Sequence, residues 1–387
     1  MSMLESDVLI VGAGAAGHSA AVALRALGFA GSVRIVQDEP HPAYNRTLVD
    51  KGILPGLLTV EQAALKDLTT LDVDVVHGRA IAVDAARPAI RLQDGRALMY
   101  RALLLAIGST PRALPGGAGP GVFSLHRARD AVRIREHLGD DPEGRTVTVL
   151  GAGLVGSEVA SYFATAGAEL QLVARSDVPL THALGRPIAT QLRDLHAAHV
   201  DIHFGRAVTA LLPSASHTGV RLDDGSELRS DLVIVAQGVV PDTAWASRDA
   251  EGVRVDGRLR AVTIPGAYAA GAAAAHTTPD GSWRRIDHWD DALAQGAHVA
   301  RTILHDLGEG EDAGPYRAAS GFSLNVYGTS IMGAGTVTPN AVVGTTRPRD
   351  GSIVTTFRDG DGYVTGAVGL SAAREILAVK AELAGHQ

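Results

Sequence analysis

Cysteine is missing altogether from the 387 residues. With it go disulfides, thiolate nucleophiles, redox-active dithiols and iron–sulfur ligation. Disulfide reductases and cysteine-dependent peroxidases or oxidases are therefore excluded, whatever nucleotide-binding domains the chain contains. Aromatic side chains are scarce, at 4 %, which fits poorly with base-stacking platforms. Positive charge is also short. Against 42 Asp and Glu stand 35 Lys and Arg, a formal charge of −7, and no basic block occurs. Neither nucleic acid nor an anionic membrane surface is an expected partner. No apolar run reaches the roughly 18 residues of a membrane span. The opening, MSMLESDVLIVGAGAAG, has acids where a signal peptide carries basic residues. It reads as a first β-strand with no targeting segment, and a cytoplasmic location is expected.

What is present points to a soluble globular protein. The apolar fraction is 46 %, and the length suits two or three domains with a sizeable core. One pattern occurs twice. DVLIVGAGAAGHSAAVALRALG (Asp7–Gly28) and TVTVLGAGLVGSEVASYFATAG (Thr146–Gly167) each run from a β-branched stretch through GxGxxG into an alanine-rich helical stretch ending in Gly. A second strand follows each, SVRIVQDE (Ser32–Glu39) and ELQLVARSD (Glu169–Asp177). Each is a βαβ unit with its glycines at the strand–helix turn. Gly12 and Gly151 allow the tight turn, Gly14 and Gly153 let a pyrophosphate approach the backbone, and Gly17 and Gly156 let the helix pack on the strand. The phosphates sit at the helix N-terminus, where free N–H groups and the dipole favour negative charge. One such loop is weak evidence of a nucleotide; two in βαβ context are strong. Asp38 and Glu39 end the second strand of the first unit, where an acid would take the ribose of a dinucleotide, and either could be the ligand.

Other segments read more coarsely. RALLLAIGSTPRALP (Arg101–Pro115) and DLVIVAQGVVPDT (Asp231–Thr243) are buried strands running into Gly/Pro crossovers. ALGRPIATQLRDLHAAHVDIHFG (Ala183–Gly205) is a helix and then a strand, and SWRRIDHWDDALAQGAHVARTILHDL (Ser282–Leu307) holds a helix. From about Pro315 the texture changes to short alternating strands with glycine turns, closed by an amphipathic helix over Ser371–Gly385. This predicts a small α+β C-terminal domain. The fold class expected is α/β, with two Rossmann-like nucleotide-binding domains and that third domain. His196, His199 and His203 suggest a metal at first sight. His203 belongs to the strand after the helix that carries the other two, so no metal site is expected. No GxSxG, HExxH or paired-carboxylate arrangement occurs.

At this point the chain resembles a known family, the FAD-dependent NAD(P)H reductases of the ferredoxin and rubredoxin reductase group, flavoprotein partners of Rieske dioxygenases and bacterial P450s. The resemblance runs the length of the chain. GAGAAG matches the FAD loop, and PAYNRTLVDKGIL (Pro42–Leu54) resembles Tyr-Asp-Arg-Pro-Pro-Leu-Ser-Lys. LLAIGSTPRALP resembles an Ala-Thr-Gly crossover, GAGLVGSEVA the nicotinamide-nucleotide fingerprint, and VAQGVVPDT a Gly-Val-x-Pro-Asn crossover. IPGAYAAG precedes a flavin-contacting position, and RRIDHWDDALAQG resembles Glu-His-Trp-x-x-Ala-x-x-Gln-Gly.

The resemblance implies FAD as cofactor and NADPH or NADH as hydride donor. It implies a FAD domain at 1–112 and 236–312, an NAD(P) domain at 113–235, and a C-terminal domain at 313–387 that covers the flavin. It implies that Lys51 and Glu158 pair beside flavin N5 and that Arg46 and Arg112 approach the FAD diphosphate. It also puts Gly108, Gly238, Gly271, Ala272, His288 and Trp289 at the cofactor, with His276 near it. An imidazole at either histidine could exchange protons there.

Three places break the pattern. Relatives read Ala-x-Gly-Asp where this chain has Ala272 after Gly271, so one charge-assisted hydrogen bond to the ribityl chain is missing, roughly 1.5–3 kcal/mol. Ser323 and Asn325 in SGFSLNVYGTS stand where relatives have Trp and Asp, which opens the flavin face. The second βαβ unit lacks the acid that marks NAD; Ala174 is followed by Arg175, which suits a 2′-phosphate and favours NADPH. The expected function is transfer of electrons from NAD(P)H through FAD to a ferredoxin-like iron–sulfur protein, by a monomer or homodimer. The alternatives are a flavoenzyme acting directly on a small-molecule substrate, and a FAD-poor nucleotide-binding protein.

Overall fold

The computed structural model describes residues 4–84, 87–113, 119–139, 141–214, 216–278, 281–318, 321–336 and 341–385. Leu114, Pro115 and Ser320, at the ends of two of the segments quoted above, lie outside the described residues. The chain divides into two compact units. One comprises Met1–Arg46, Val60–Thr110 and Val240–Ser320, and the other Thr47–Thr59, Pro111–Val239 and Gly321–Gln387.

The first unit is built on a seven-stranded sheet. Its order is Val73–His77, Val33–Gln37, Leu4–Val11, Ala97–Leu105, Ala89–Leu92, Ala80–Val83, with Ala267–Ala269 added on Ala97–Leu105. The strands around the first glycine loop are parallel, Val8 lying level with Val33 on one side and Ala102 on the other. A parallel sheet is covered on both faces, so its strands are unbroken apolar runs. Val8, Leu9 and Ile10 are fully buried, as are Leu103, Leu104 and Leu105. The helix Ala15–Ala26 packs directly against Trp289–Asp306. Small residues make that possible. A Cβ on Gly296 would collide with the Ala16 carbonyl, and Ser19 Oγ donates to the Leu293 carbonyl at 2.7 Å.

The second unit repeats the arrangement. A five-stranded all-parallel sheet has the order Asp201–Phe204, Glu169–Ala174, Thr146–Leu150, Leu232–Val235, Val122–Ser124. A three-stranded antiparallel sheet, Val208–Pro213, Thr218–Leu222 and Glu227–Ser230, packs beside it. The C-terminal part is a five-stranded antiparallel sheet in the order Gly321–Val326, Thr329–Gly335, Val364–Leu370, Ile353–Arg358, Val342–Thr346, followed by the helix Ala373–Gly385. It shares a core with the helix Arg186–His199. Ile188, Ala189 and Leu192 bury their apolar stripe against Leu324, Val326, Ile331, Phe357 and Leu370. Among the described residues no helix is long and apolar enough to cross a membrane.

Both glycine loops are closed by the same contact. A Cβ on Gly17 would strike the Gly12 carbonyl, and one on Gly156 the Gly151 carbonyl. Gly156→Ala is expected to cost about 1–3 kcal/mol by overpacking, read as a lower urea midpoint at unchanged slope. An unchanged midpoint would mean that helix and strand separate without penalty.

Candidate functional site

The first glycine loop ends the strand Leu4–Val11 and opens the helix Ala15–Ala26. Gly12 sits at φ +103°, beyond what an L side chain tolerates, and a Cβ there would meet the Ala106 carbonyl. Around Gly14, by contrast, a Cβ would meet nothing within 4 Å. No side chain caps the helix that follows. The loop is thus packed tight at its first and third glycines and open at its second, over an uncapped helix N-terminus. A pyrophosphate fits that cradle.

Two acids follow the strand Val33–Gln37. Glu39 accepts from Tyr44 Oη at 2.8 Å and from Arg46 Nη2 at 2.6 Å. Asp38 is more exposed and pairs with Arg79 at 3.4 Å. Glu39 is thus held by Tyr44 and Arg46 together.

Farther along, Gly271 has φ +70° and begins the short turn Gly271–Ala273. Its N–H donates to Gln295 Oε1 at 2.8 Å, and the Ala272 carbonyl accepts from Arg285 Nη1 at 2.8 Å. Gln295 in turn donates to the fully buried Asp291, which also accepts from Tyr316 Oη at 2.7 Å. The turn is therefore held from behind by polar groups, although no acid follows Gly271. His288 stands at the position just before the helix that Trp289 begins and makes no side-chain capping bond to it. Burial holds the imidazoles of His276 and His288 below the usual histidine range, with neighbouring acids opposing it. Gly108, at φ +73°, accepts from the Asp242 N–H at 3.2 Å.

The second glycine loop copies the first. Gly151, at φ +109°, abuts the Ala236 carbonyl, and a Cβ on Gly153 would meet nothing within 4 Å. No side chain caps the helix Leu154–Thr165. Arg175 follows the strand Glu169–Ala174, is exposed, and makes no ion pair among the described residues. Gly238, at φ +84°, accepts from the N–H of Arg112, whose side chain is exposed.

On the first turns of that helix stands Glu158, with 9 % of its side chain exposed. Its Oε2 is 2.9 Å from Lys51 Nζ, and its Oε1 accepts from the Asn325 N–H at 2.9 Å. Lys51 belongs to a π-helical turn, Val49–Ile53. Such turns are rare and often mark functional places. The two residues singled out in the sequence are thus brought together across 107 positions of chain (158 minus 51). The sequence reading missed the third member. Asp50, 8 % exposed, stands beside Glu158 and has its Oδ2 buried with no hydrogen-bond partner among the described residues. Burial and the adjacent Glu158 charge push its carboxyl up to about 7, against the pull of Lys51. The available signal was an acid directly before the lysine.

His196 continues the buried stripe of its helix one rung past Leu192. It is 1 % exposed and bonds Ser157 Oγ through Nε2 at 3.1 Å and Tyr327 Oη through Nδ1 at 3.0 Å. Ser157 is the neighbour of Glu158. His199 stacks on the Tyr327 ring at 4.1 Å, and His203 pairs with Asp201 at 3.0 Å. The three histidines are occupied separately, and among the described residues no group of three candidate ligands could hold a metal. Ser323 and Asn325 share the exposed side of the strand Gly321–Val326, and Asn325 reaches Glu158 through its backbone.

Comparison with known proteins agrees with this geometry. Residues 6–296 match the family described as pyridine nucleotide-disulphide oxidoreductase. The ferredoxin–NAD(+) reductase component of the p-cumate 2,3-dioxygenase system of Pseudomonas putida is 30 % identical over 85 % of this chain and 82 % of its own. The crystal structure of the ferredoxin reductase for the CYP199A2 system of Rhodopseudomonas palustris superposes with a TM-score of 0.86 at 25 % identity, covering 95 % of this chain and 92 % of that one. The covalent putidaredoxin reductase–putidaredoxin complex gives 0.85 at 26 %, covering 97 % and 92 %.

Burial depresses His196 from 6.5 to about 4. The folded protein keeps it neutral while the unfolded chain takes up a proton, so its contribution to stability is whole above pH 6.5 and is lost as pH falls toward 4. His196→Gln is expected to cost about 1–3 kcal/mol at pH 7.5, by unpairing Ser157 and Tyr327. It is also expected to flatten the fall in urea midpoint between pH 6.5 and 4.5. Parallel profiles for variant and parent would contradict this assignment.

Proposed function

From the premise that the chain belongs to the pyridine nucleotide-disulphide oxidoreductase family and is an FAD-dependent NAD(P)H oxidoreductase, we propose that it is the reductase of a short electron-transfer chain. It draws on NAD(P)H and delivers electrons to a small ferredoxin-like iron–sulfur protein in the cytoplasm. The disulphide chemistry in the family's description has no place here, because the chain has no cysteine. The observation that carries the reading is the Lys51–Glu158 pair, 2.9 Å apart, which joins the turn Val49–Ile53 to the helix that opens from the second glycine loop.

Bound FAD supplies hydride acceptance and the release of electrons one at a time. The rest is the work of the chain. In this reading residues 1–112 and 236–312 hold FAD, residues 113–235 hold the nicotinamide nucleotide, and 313–387 form the third domain. Gly12, Gly14 and Gly17 shape the cradle for the FAD pyrophosphate, and Glu39 takes the adenosine ribose while Arg46 holds that carboxylate in place. Gly151, Gly153 and Gly156 do the same for the nicotinamide nucleotide. Arg175, exposed and without an ion partner among the described residues, suits a 2′-phosphate and favours NADPH over NADH. Lys51 and Glu158 grip the carboxamide end of that nucleotide. Asn325 and Lys51 each hold one Glu158 oxygen, so the side chain is fixed before the nucleotide arrives.

Two variants test the assignments. Glu158→Ala is expected to slow reduction of the bound flavin by NADPH by roughly tenfold or more, with FAD affinity nearly unchanged; an unaltered rate would remove the pair from the reaction. Ala272→Asp is expected to tighten FAD binding roughly 10- to 100-fold, the equivalent of one charge-assisted hydrogen bond. No gain would mean that the turn fixed by Arg285 and Gln295 does not face the ribityl chain. The acceptor is tested by mixing NADPH, the protein and a small bacterial [2Fe–2S] ferredoxin without oxygen. Bleaching of the ferredoxin that needs the protein is the expected result. Turnover of an organic substrate with no iron–sulfur protein present would favour direct action instead.

A further inference from the structure

Among the described residues of the second unit, Asp50 is the one carboxyl that is buried beside another. Three observations define it. It directly precedes Lys51, whose Nζ lies 2.9 Å from Glu158 Oε2, and so stands beside that carboxylate, whose charge acts on it. Its Oδ2 is buried with no hydrogen-bond partner among the described residues, a poor setting for an anion. And both Glu158 oxygens are already engaged, by Lys51 Nζ and by the Asn325 N–H, as suits the charged member of the pair. Two carboxylates in contact cannot both ionise readily. In the segment that Pro42–Leu54 resembles, serine stands at this place, so the second carboxyl belongs to this chain and not to the shared pattern.

We infer that Asp50 is a positioning residue that holds one proton on the Asp50–Glu158 pair, and so sets the net charge that this cluster presents to a bound nicotinamide. The inference rests on the reading that Lys51 and Glu158 meet that ring. With the proton in place, Asp50 donates to Glu158⁻, which is balanced by Lys51⁺, and the cluster is neutral. When the proton leaves to solvent, the cluster carries −1. An oxidised nicotinamide ring is cationic and a reduced one is not. Loss of the proton therefore favours the oxidised nucleotide, and binding of the oxidised nucleotide favours loss of the proton.

Few other charges face Asp50. Lys51 lies on its own turn and Glu158 on the helix Leu154–Thr165. The helix Ala128–Leu138 sends Arg135 against Gly56, just beyond the turn, and from the strand Gly321–Val326 the neutral Asn325 N–H reaches the neighbouring Glu158. Burial and Glu158 raise the Asp50 carboxyl and Lys51 lowers it.

The test uses the FAD-loaded protein, Asp50→Asn and Asp50→Ser. Aspartate labelled with 13C at the side-chain carboxyl gives a titration by NMR, and the resonance missing from Asp50→Asn is that of Asp50. Binding of NADP+ and of its non-reacting 1,4,5,6-tetrahydro analogue, whose ring is uncharged, is measured from pH 5.5 to 8.5. The 2′-phosphate is common to both, so it cancels in the ratio. The expected result is a carboxyl titrating near neutrality. The preference for NADP+ should rise about three- to tenfold across that range in the parent, the size of one screened charge nearby, and stay flat in both variants. A resonance that titrates with ordinary carboxylates overturns the inference whatever the binding shows. A carboxyl that titrates near neutrality with no change in the ratio overturns the placement of Lys51 and Glu158 at the nicotinamide. Stability supplies a second check that needs no nucleotide. A raised carboxyl contributes stability below its unfolded value of 3.8 and loses it as pH rises through about 7. The urea midpoint of Asp50→Asn should therefore gain on the parent between pH 5.5 and 8.5. An equal difference at both ends contradicts the inference.

Discussion

The structure turns on a contact of a few ångströms, the backbone of a third glycine against the carbonyl of a first. Gly17 on Gly12, and Gly156 on Gly151, bring each helix down onto its strand at a distance that no Cβ allows. Once that contact is made, the middle glycine is left facing open space above an uncapped helix N-terminus, and the loop becomes a seat for a phosphate pair. The parallel sheets behind the loops, with Val8, Leu9 and Ile10 in one and Val147, Val149 and Leu150 in the other fully buried, serve to hold that geometry rigid. Positive φ at Gly12 and Gly151 is what lets the chain turn from strand to helix in so little room.

Around the second loop the same rigidity is extended to charged groups. Glu158 is placed by its helix, and its two oxygens are then fixed by Lys51 and by the Asn325 N–H. Beside it the helix is tied to the C-terminal sheet through Ser157, His196 and Tyr327, and Ser161 Oγ accepts from the Tyr327 N–H at 2.7 Å. Burial keeps His196 uncharged, so this tie transmits shape and adds no charge near Glu158. A carboxylate held on both oxygens has little freedom left to reorganise.

Much of this was legible in the sequence because it depends on local pattern. The two glycine loops, the strands that precede them and the alanine-rich helices that follow are all signals of a few residues' range. Lys51 and Glu158 could be named through resemblance, and the structure brings them together. Asp50 could not be found in the same way. Nothing local marks an aspartate as buried, and its environment exists only because residues 47–59 fold onto a helix 100 positions later. His196 was visible as a helical residue, but its role needed the stripe Ile188–Leu192 to be known as the buried face and Tyr327 to be brought to it. That Glu39 meets Tyr44 and Arg46 likewise depends on the fold. Ala272 was legible as a departure, but the clamp from Arg285 and Gln295 behind it was not.

The central claim is that the two cradles serve a flavin and its hydride donor. It is tested most directly by the visible spectrum of the purified protein before and after NADPH is added without oxygen. The account predicts flavin absorbance that bleaches on addition of NADPH. A colourless protein that remains inert when FAD is supplied would contradict it, and would mean that the change at Ala272 has cost the chain its flavin.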